Sequence, residues 1–265
     1  MNHSQPPARG DFILEAHGLT KEFLGFVAVT QVDLKVRRGT VHALIGPNGA
    51  GKSTCFNLLT KFVQPTRGTI TFDGEDITRM PPAQVARKGL VRSFQISAVF
   101  PHLSVLENVR VALQQSLGSS FQFWRRVSSL DRLNDRAMAF LDEVGLVDFA
   151  SLQAAELPYG RKRALEIATT LALDPKLLLL DEPTQGMGHE DVGMVTTLIQ
   201  RVARSRTVLI VEHNMAVVSK IADTITVLQR GQVIAEGPYA EASRNPLVVE
   251  AYMGSETESL EVAHV

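Results

Sequence analysis

The 265-residue sequence contains one cysteine and one tryptophan, and it has no apolar run long enough to cross a bilayer. A single cysteine, Cys55, excludes an intramolecular disulfide framework and is compatible with a reducing compartment. The first residues are polar and lack the apolar core of a signal peptide. If the protein works at a membrane, we therefore expect another subunit to supply the membrane span.

The sequence also lacks an excess of charge of either sign. It has 27 lysine and arginine residues against 28 aspartate and glutamate residues, a net charge of -1. Nothing in this balance indicates a nucleic-acid partner, and we predict none, although a local basic patch stays compatible with it. A hydrophobic content of 45% and a charged content of 21% are typical of a globular protein with one large domain or two small ones.

The most informative stretch is a glycine-rich loop that reads GPNGAGKST. It matches the phosphate-binding template G-x-x-x-x-G-K-[ST], with an apolar strand predicted before it and a helix predicted from about Gly51. Glycines let successive backbone N–H groups face phosphate oxygens, the lysine reaches the β- and γ-phosphates, and the first hydroxyl ligates Mg²⁺. The predicted nucleotide-binding residues here are Gly46, Pro47, Asn48, Gly49, Ala50, Gly51, Lys52, Ser53 and Thr54.

Two further strands end in polar residues. Leu177–Leu180 is fully apolar, as expected for a parallel strand buried on both faces, and Asp181 and Glu182 follow it. Carboxylates at this end of a strand lie where ligands bind in an open α/β sheet. We predict that Asp181 supports the Mg²⁺ shell and that Glu182 is the base for an attacking water. The strand at 207–211 precedes His213, which is either a structural histidine or a sensor of the γ-phosphate.

Alternating apolar residues predict strands of an antiparallel sheet at 13–19, 27–36, 41–45 and 69–72, and a later hairpin turns at Arg230-Gly231. Residues 89–95 form a predicted buried strand that ends at Gln95. Residues 96–160 are an expected helical subdomain, in which Ser104 and Glu107 have capping-box spacing. Phe23 is either a core residue or a ring that stacks on a base.

These elements, in this order, resemble the ATP-binding subunits of ABC transporters over nearly the whole of residues 12–254. The resemblance implies an α/β fold, an ABC-type nucleotide-binding domain with a RecA-like P-loop core, an antiparallel β subdomain and an α-helical subdomain. It implies a single domain at 11–254, with a flexible leader at 1–10 and a tail at 255–265. It also makes Phe23 the adenine-stacking ring, Gln95 a catalytic and Mg²⁺-linked residue coupled to the membrane partner, Glu182 the catalytic base and His213 the switch histidine.

The closer similarity is to the larger ATPase subunit of branched-chain amino-acid uptake systems. It rests on residues 89–95 and 100–109, on Gly186-Met187, and on the ending at 245–254. ATP and Mg²⁺ are the implied cofactors, and the implied location is the cytoplasmic face of the membrane. The implied partners are a second ATPase subunit in a homo- or heterodimer, transmembrane permease subunits and, indirectly, a solute-binding protein. A lipid or lipopolysaccharide exporter and a urea or amide importer are the alternatives. A P-loop GTPase is disfavoured because no Asn-Lys-x-Asp motif occurs.

Two loops depart from the family pattern. The signature loop usually reads L-S-G-G-Q, but here Pro158 and Tyr159 replace its serine and first glycine, while Gly160 is retained. Tyr159 and Gly160 are the residues expected to contact nucleotide on the opposite subunit. The next loop of the family usually reads S-A-L-D. Here it reads Gln185-Gly186-Met187-Gly188, so that Gly188 replaces the aspartate. Both departures weaken what this subunit gives to its partner's site, which predicts two unequal sites in a heterodimer, unless backbone contacts from Tyr159 and Gly160 suffice.

Overall fold

The computed structural model describes residues 10–93, 99–116 and 133–252. The described residues up to Arg87 and from Thr207 onward form one compact unit, and those of Lys88–Arg206 form a second. The leader up to residue 9, Gln95, most of the stretch at 114–129 and the tail at 255–265 lie outside the described residues.

The strands and main helices of the described residues are bounded as follows. The strands are β1 (Phe12–Phe23), β2 (Phe26–Arg37), β3 (Val41–Ile45), β4 (Arg67–Phe72), β5 (Glu75–Asp76), β6 (Leu90–Arg92), β7 (Leu177–Asp181), β8 (Thr207–Val211), β9 (Thr224–Gln229) and β10 (Gln232–Gly237). The helices are α1 (Lys52–Leu59), α2 (Pro82–Arg87), α3 (Val105–Ser116), α4 (Asn134–Val144), α5 (Tyr159–Leu171), α6 (His189–Ala203), α7 (Met215–Ile221) and α8 (Tyr239–Ala242). Residues 246–252 are also helical.

The first unit contains an antiparallel sheet with the strand order β2-β1-β4-β5. Alternate residues of β2 are buried from Val32 to Val36, as the alternating pattern predicts, whereas β1 contains adjacent buried residues and shifts of register against β2. Asp73 and Gly74 both have positive φ, 51° and 82°, the conformation that a two-residue hairpin turn requires. The predicted antiparallel subdomain is therefore present, with strands longer than expected.

The assignment of residues 41–45 to that antiparallel sheet was wrong. β3 lies instead between β8 and β9 and runs parallel to both. All five of its side chains are buried, because a central parallel strand is covered on both faces. The pattern of apolar residues in so short a strand does not show which strands pair with it. Its two parallel neighbours explain why all of its side chains are buried. The hairpin of β9 and β10 extends this group, with Arg230 and Gly231 at positive φ in its turn.

The second unit combines helices with the parallel pair β6 and β7. The capping box at the start of α3 is confirmed: Ser104 N–H donates to Glu107 Oε2 at 2.8 Å, and Glu107 N–H donates to Ser104 Oγ at 3.1 Å. In α4, Ala137, Leu141 and Val144 are buried, whereas Phe140 is only half-buried. Within the described residues, no helix combines the length and apolar character that crossing a membrane needs.

Candidate functional site

The glycine-rich loop joins the end of β3 to the start of α1, as the motif requires. Gly51 is the residue before the helix and has φ 96°, a left-handed conformation that glycine adopts without strain. Gly51 has no side chain with which to cap α1, and the first turn of this helix holds no acidic residue. The first N–H groups of the helix and the positive end of its dipole therefore suit an anion such as phosphate.

Close packing explains why the two fixed positions of the motif are glycines. A Cβ atom on Gly46 would lie 2.2 Å from the carbonyl oxygen of Leu228, and one on Gly51 would lie 2.8 Å from that of Ala28. Both distances are far shorter than a normal contact, and both neighbours are backbone atoms that cannot move aside. Gly49 differs, because it needs positive φ but has open space around it.

Lys52 is buried, and its ammonium group lies within the loop. Nζ donates to the carbonyl oxygens of Gly46 and Pro47 at 2.7 and 2.9 Å. The side chain of Ser53 is on the exposed side of the same helical turn, and Thr54 is half-buried beside it. The loop thus combines a positioned cation, helix N–H groups and an exposed hydroxyl. These groups fit a nucleoside triphosphate with Mg²⁺.

The described residues contain no group of three or more histidine, cysteine, aspartate or glutamate side chains arranged to hold a metal. Ser53 in the first unit and Asp181 in the second each carry an oxygen atom of the kind that Mg²⁺ prefers. Mg²⁺ commonly keeps waters and is held by one or two protein groups together with substrate phosphates, so either side chain fits it, and their part in binding the metal stays a prediction. Gln95, the third predicted Mg²⁺-linked residue, lies outside the described residues.

His213 occupies a turn in the same unit as the loop. The carboxylate of Glu212 is fully buried and accepts the N–H groups of His213 and Asn214 at 3.0 and 3.1 Å. Asn214 caps α7 through hydrogen bonds from Ala216 and Val217. These contacts fix the backbone and leave 52% of the His213 side chain exposed. An exposed ring on a fixed turn suits a ligand sensor better than a core histidine.

Phe23 closes β1 opposite Phe26, and its ring is 42% exposed. The ammonium group of Lys21 lies 4.8 Å from the centre of the ring. Of the two sequence interpretations, the core residue is therefore wrong. An exposed ring is available to a base, and stacking on adenine stays a prediction.

Tyr252 lies near the phosphate loop, and the sequence analysis did not single it out. It lines a cavity of about 300 Å³ together with Ile45, the residue before the phosphate loop, and Met215, which follows the His213 turn. Burial raises the pKa of the Tyr252 hydroxyl. The helix at 246–252 therefore lies beside the strand end that leads into the loop. Its resemblance to the branched-chain group was visible in the sequence, but this contact was not.

In the second unit, Asp181 and Glu182 end β7 as predicted. The Asp181 side chain is 4% exposed and pairs with Arg92, whose Nη2 lies 2.5 Å from Oδ2. The backbone of Glu182 has φ 41°, an unusual value for a non-glycine residue. Such strained positions cluster at functional sites, and Glu182 is half-buried rather than sealed in the core.

The signature loop forms the start of α5. Pro158 precedes the helix, and the side chain of Tyr159 is 58% exposed with its hydroxyl donating to the carbonyl of Gln185 at 3.4 Å. Gly160 is buried, and a Cβ there would lie 2.3 Å from Oδ1 of Asp191. Gly188 precedes α6 in an extended conformation with open space at its Cβ position. Pro158 and Tyr159 are thus accessible, whereas Gly160 is not.

Comparison with known proteins gives a consistent assignment. Residues 29–185 match the family model for the ABC transporter, and residues 232–258 match that of the branched-chain amino acid ATP-binding cassette transporter. The chain is 41% identical over 249 residues to the high-affinity branched-chain amino acid transport ATP-binding protein BraF of Pseudomonas aeruginosa, covering 91% of this chain and 98% of that protein. It is 38% identical to LivG of Escherichia coli, with the same coverage.

Solved structures agree with these sequence relatives. The ADP conformation of MJ1267, an ATP-binding cassette of an ABC transporter, superposes with a TM-score of 0.80 at 30% identity, covering 92% of this chain and 99% of that one. A cassette titled cbiO1 from Clostridium perfringens, part of the transporter complex cbiONQ, superposes with a TM-score of 0.75 at 27% identity, covering 91% of this chain and 94% of that one. The chain belongs to the ABC transporter family, in which it is an ATP-binding subunit.

Proposed function

We propose that this chain hydrolyses ATP to drive uptake of branched-chain or related amino acids, at the cytoplasmic face of a membrane. The observation that carries the proposal is the match of residues 232–258 to the branched-chain model, since the phosphate loop is common to the whole family. The relatives named for branched-chain amino-acid transport support the same substrate class.

In this proposal ATP binds through the loop at 46–54. The N–H groups of the loop and of the first turn of α1 hold the phosphates, and Phe23 stacks on the adenine. The ammonium group of Lys52 already lies beside the loop, so it reaches the β- and γ-phosphates with little reorganisation. When bound, Mg²⁺ neutralises charge on the phosphates, and Ser53, Gln95 and the shell around Asp181 would hold it.

Glu182 acts as the base that orients the attacking water and accepts its proton. His213 contacts the γ-phosphate, and its fixed backbone with an exposed ring supports that role. These groups act by positioning and by stabilising charge, which is how phosphoryl transfer is generally catalysed. Gln95 and the helical subdomain at about 96–160 transmit the conformational change of ATPase closure to the permease subunits.

Hydrolysis requires a second ATPase subunit, whose signature loop completes this chain's site. In return this chain offers Tyr159 and Gly160, without the serine hydroxyl that Pro158 replaces or the aspartate that Gly188 replaces. The exposed side chain of Tyr159 supports contact with the partner's nucleotide, whereas the buried position of Gly160 makes that residue less accessible to it. We therefore propose that in a heterodimer the site on this chain's phosphate loop turns over faster than the partner's.

The test is co-purification with the permease subunits and the solute-binding protein, followed by reconstitution in vesicles. We expect leucine, isoleucine or valine with its binding protein to stimulate ATP hydrolysis. Stimulation by urea or a small amide alone would contradict the substrate class. A lipid-transfer partner in place of a solute-binding protein would contradict import itself.

A further inference from the structure

Arg92 and Asp181 form a buried ion pair at the ends of two neighbouring strands. β6 and β7 run parallel in the register Arg92 to Leu179, and Ser93 N–H continues the pairing by donating to the Leu179 carbonyl at 2.9 Å. This register brings Nη2 of Arg92 to 2.5 Å from Oδ2 of Asp181. The two side chains are 15% and 4% exposed, so solvent screens the pair only weakly.

A second arginine holds the same aspartate by a different atom. Nη2 of Arg163 donates to the main-chain oxygen of Asp181 at 3.0 Å, and Nη1 pairs with the Glu166 carboxylate at 2.6 Å. The charge of Arg163 is thus matched by Glu166, and this arginine fixes the backbone of Asp181. The guanidinium of Arg92 is the cation that meets the Asp181 carboxylate.

A buried carboxylate needs a positive partner, because desolvation disfavours its charged form. Before nucleotide arrives, Arg92 supplies that partner and holds the Asp181 carboxylate in position. A Mg²⁺ ion that approaches Asp181 meets the positive charge of Arg92 and competes with it for the carboxylate. Two like charges a few ångström apart in a partly desolvated site repel strongly.

We propose that Arg92 is a positioning residue that limits the affinity of the Asp181 site for Mg²⁺. This inference rests on the proposed function, in which Asp181 supports the Mg²⁺ shell. It goes beyond that function because Arg92, on the neighbouring strand, then sets how tightly Mg²⁺ binds. Weaker Mg²⁺ binding favours release of the metal with the product nucleotide, while Arg92 returns to the carboxylate.

The test is a titration of Mg²⁺ against thermal unfolding of the full chain at a fixed concentration of the non-hydrolysable ATP analogue AMP-PNP. Arg92→Gln removes the competing charge, so we expect the Mg²⁺ concentration at half-maximal shift to fall at least fivefold. We also expect a lower Tm without Mg²⁺ and a larger Mg²⁺-dependent rise, since the metal replaces the missing counter-ion. The readout does not depend on turnover.

Arg206→Gln is the control, because Arg206 is nearly as shielded as Arg92 and forms an ion pair with Glu143 in the same unit, although Glu143 is more exposed than Asp181. It should lower Tm without changing the Mg²⁺ midpoint. If Arg92→Gln does not fold, Arg92→Lys is used instead. Lysine lacks the planar guanidinium group and binds the carboxylate less well, so the Mg²⁺ concentration at half-maximal shift should fall at least twofold. An unchanged or raised midpoint in the variant that folds would overturn the inference.

The same titration separates this inference from the proposed function. If the wild-type chain shows no Mg²⁺-dependent shift with AMP-PNP, the proposed nucleotide site itself fails. If the wild type responds and the Arg92 variant has the same midpoint, only the role of Arg92 fails.

Discussion

Nζ of Lys52 lies 2.7 Å from the carbonyl oxygen of Gly46, so the cation of the phosphate loop is held by the first glycine of its own motif. A second hydrogen bond, to the carbonyl of Pro47, fixes the other side of the ammonium group. Both of these hydrogen bonds hold the ammonium group within the loop. Phosphate oxygens are anionic and form stronger hydrogen bonds with an ammonium group than neutral carbonyls do, so a bound phosphate is the better acceptor.

Replacing Lys52 tests the nucleotide site directly. Lys52→Ala removes the cation that meets the β- and γ-phosphates, and we expect ATP affinity to fall by about tenfold or more, with ATPase activity reduced roughly 100-fold. Titration with a fluorescent ATP analogue and a phosphate-release assay measure the two effects. Lys35→Ala, which removes an exposed lysine paired with Glu15, should change neither. Wild-type activity in Lys52→Ala would refute the site.

Glu182→Gln should separate binding from hydrolysis. The amide keeps the shape of the side chain but cannot accept the proton of the attacking water, so we expect turnover to fall by about 10² to 10⁴ while ATP still binds. Retention of radiolabelled ATP by the purified dimer checks this. Glu190→Gln provides the control, since that exposed carboxylate begins α6 and has no proposed part in hydrolysis. Equal turnover in the two variants would remove the catalytic role of Glu182.

Two glycines of the loop should respond differently to alanine. Gly46→Ala places a methyl group against the backbone oxygen of Leu228, and we expect a loss of about 3 kcal/mol or more in unfolding free energy. Gly49→Ala meets no neighbour, and only its positive φ is strained, at about 1 to 2 kcal/mol. Chemical denaturation measures both. An equal loss in the two variants would contradict the packing explanation.

Gly188→Asp should restore the missing carboxylate without a steric cost. The position has open space and the extended backbone of a helix N-cap, where aspartate is favoured over glycine by a few tenths of a kcal/mol. In a heterodimer whose site on this chain is silenced by Glu182→Gln, we expect the remaining turnover to rise at least twofold. Gly193→Asp adds the same charge within α6 and should leave it unchanged. No rise with Gly188→Asp would indicate that the departure is harmless.

His42 should make the first unit sensitive to acid. Burial lowers the pKa of His42 from 6.5 to about 4, and Nε2 lies 2.8 Å from the Thr226 hydroxyl, which itself donates to Glu236. The unfolded chain takes up a proton below pH 6.5 and the folded chain does not until about pH 4. The stabilisation is therefore complete above pH 6.5 and falls by about 3 kcal/mol as the pH drops to 4.

The measurement is the unfolding free energy of the wild type and of His42→Gln between pH 7 and pH 4. The glutamine keeps a donor for Thr226 but does not titrate, so its curve should be flatter by that amount. Parallel curves would show that His42 contributes nothing to the acid sensitivity.

Features encoded by neighbouring residues were predictable. The turns at Asp73-Gly74 and Arg230-Gly231, the capping box of Ser104 and the bounds of β3 and β8 follow from local propensity and spacing, and the structure confirms them. The strands that pair with β3 were not predictable, because the sequence of a five-residue apolar strand does not specify its neighbours in the sheet. The exposure of Phe23 also needed the structure, since an aromatic residue near a strand end suits core and surface alike.

The sequence by itself determined the chemistry: the loop at 46–54, the Asp181-Glu182 pair and the weak signature at Pro158 are contiguous motifs whose spacing is set by the backbone. Only the tertiary structure decided which groups tune that chemistry. Arg92 meets Asp181 through the register of two strands that lie far apart in the chain, and Tyr252 of the helix at 246–252 lines a cavity with Ile45, the residue before the loop. Such contacts depend on how distant segments pack, and no local pattern specifies them.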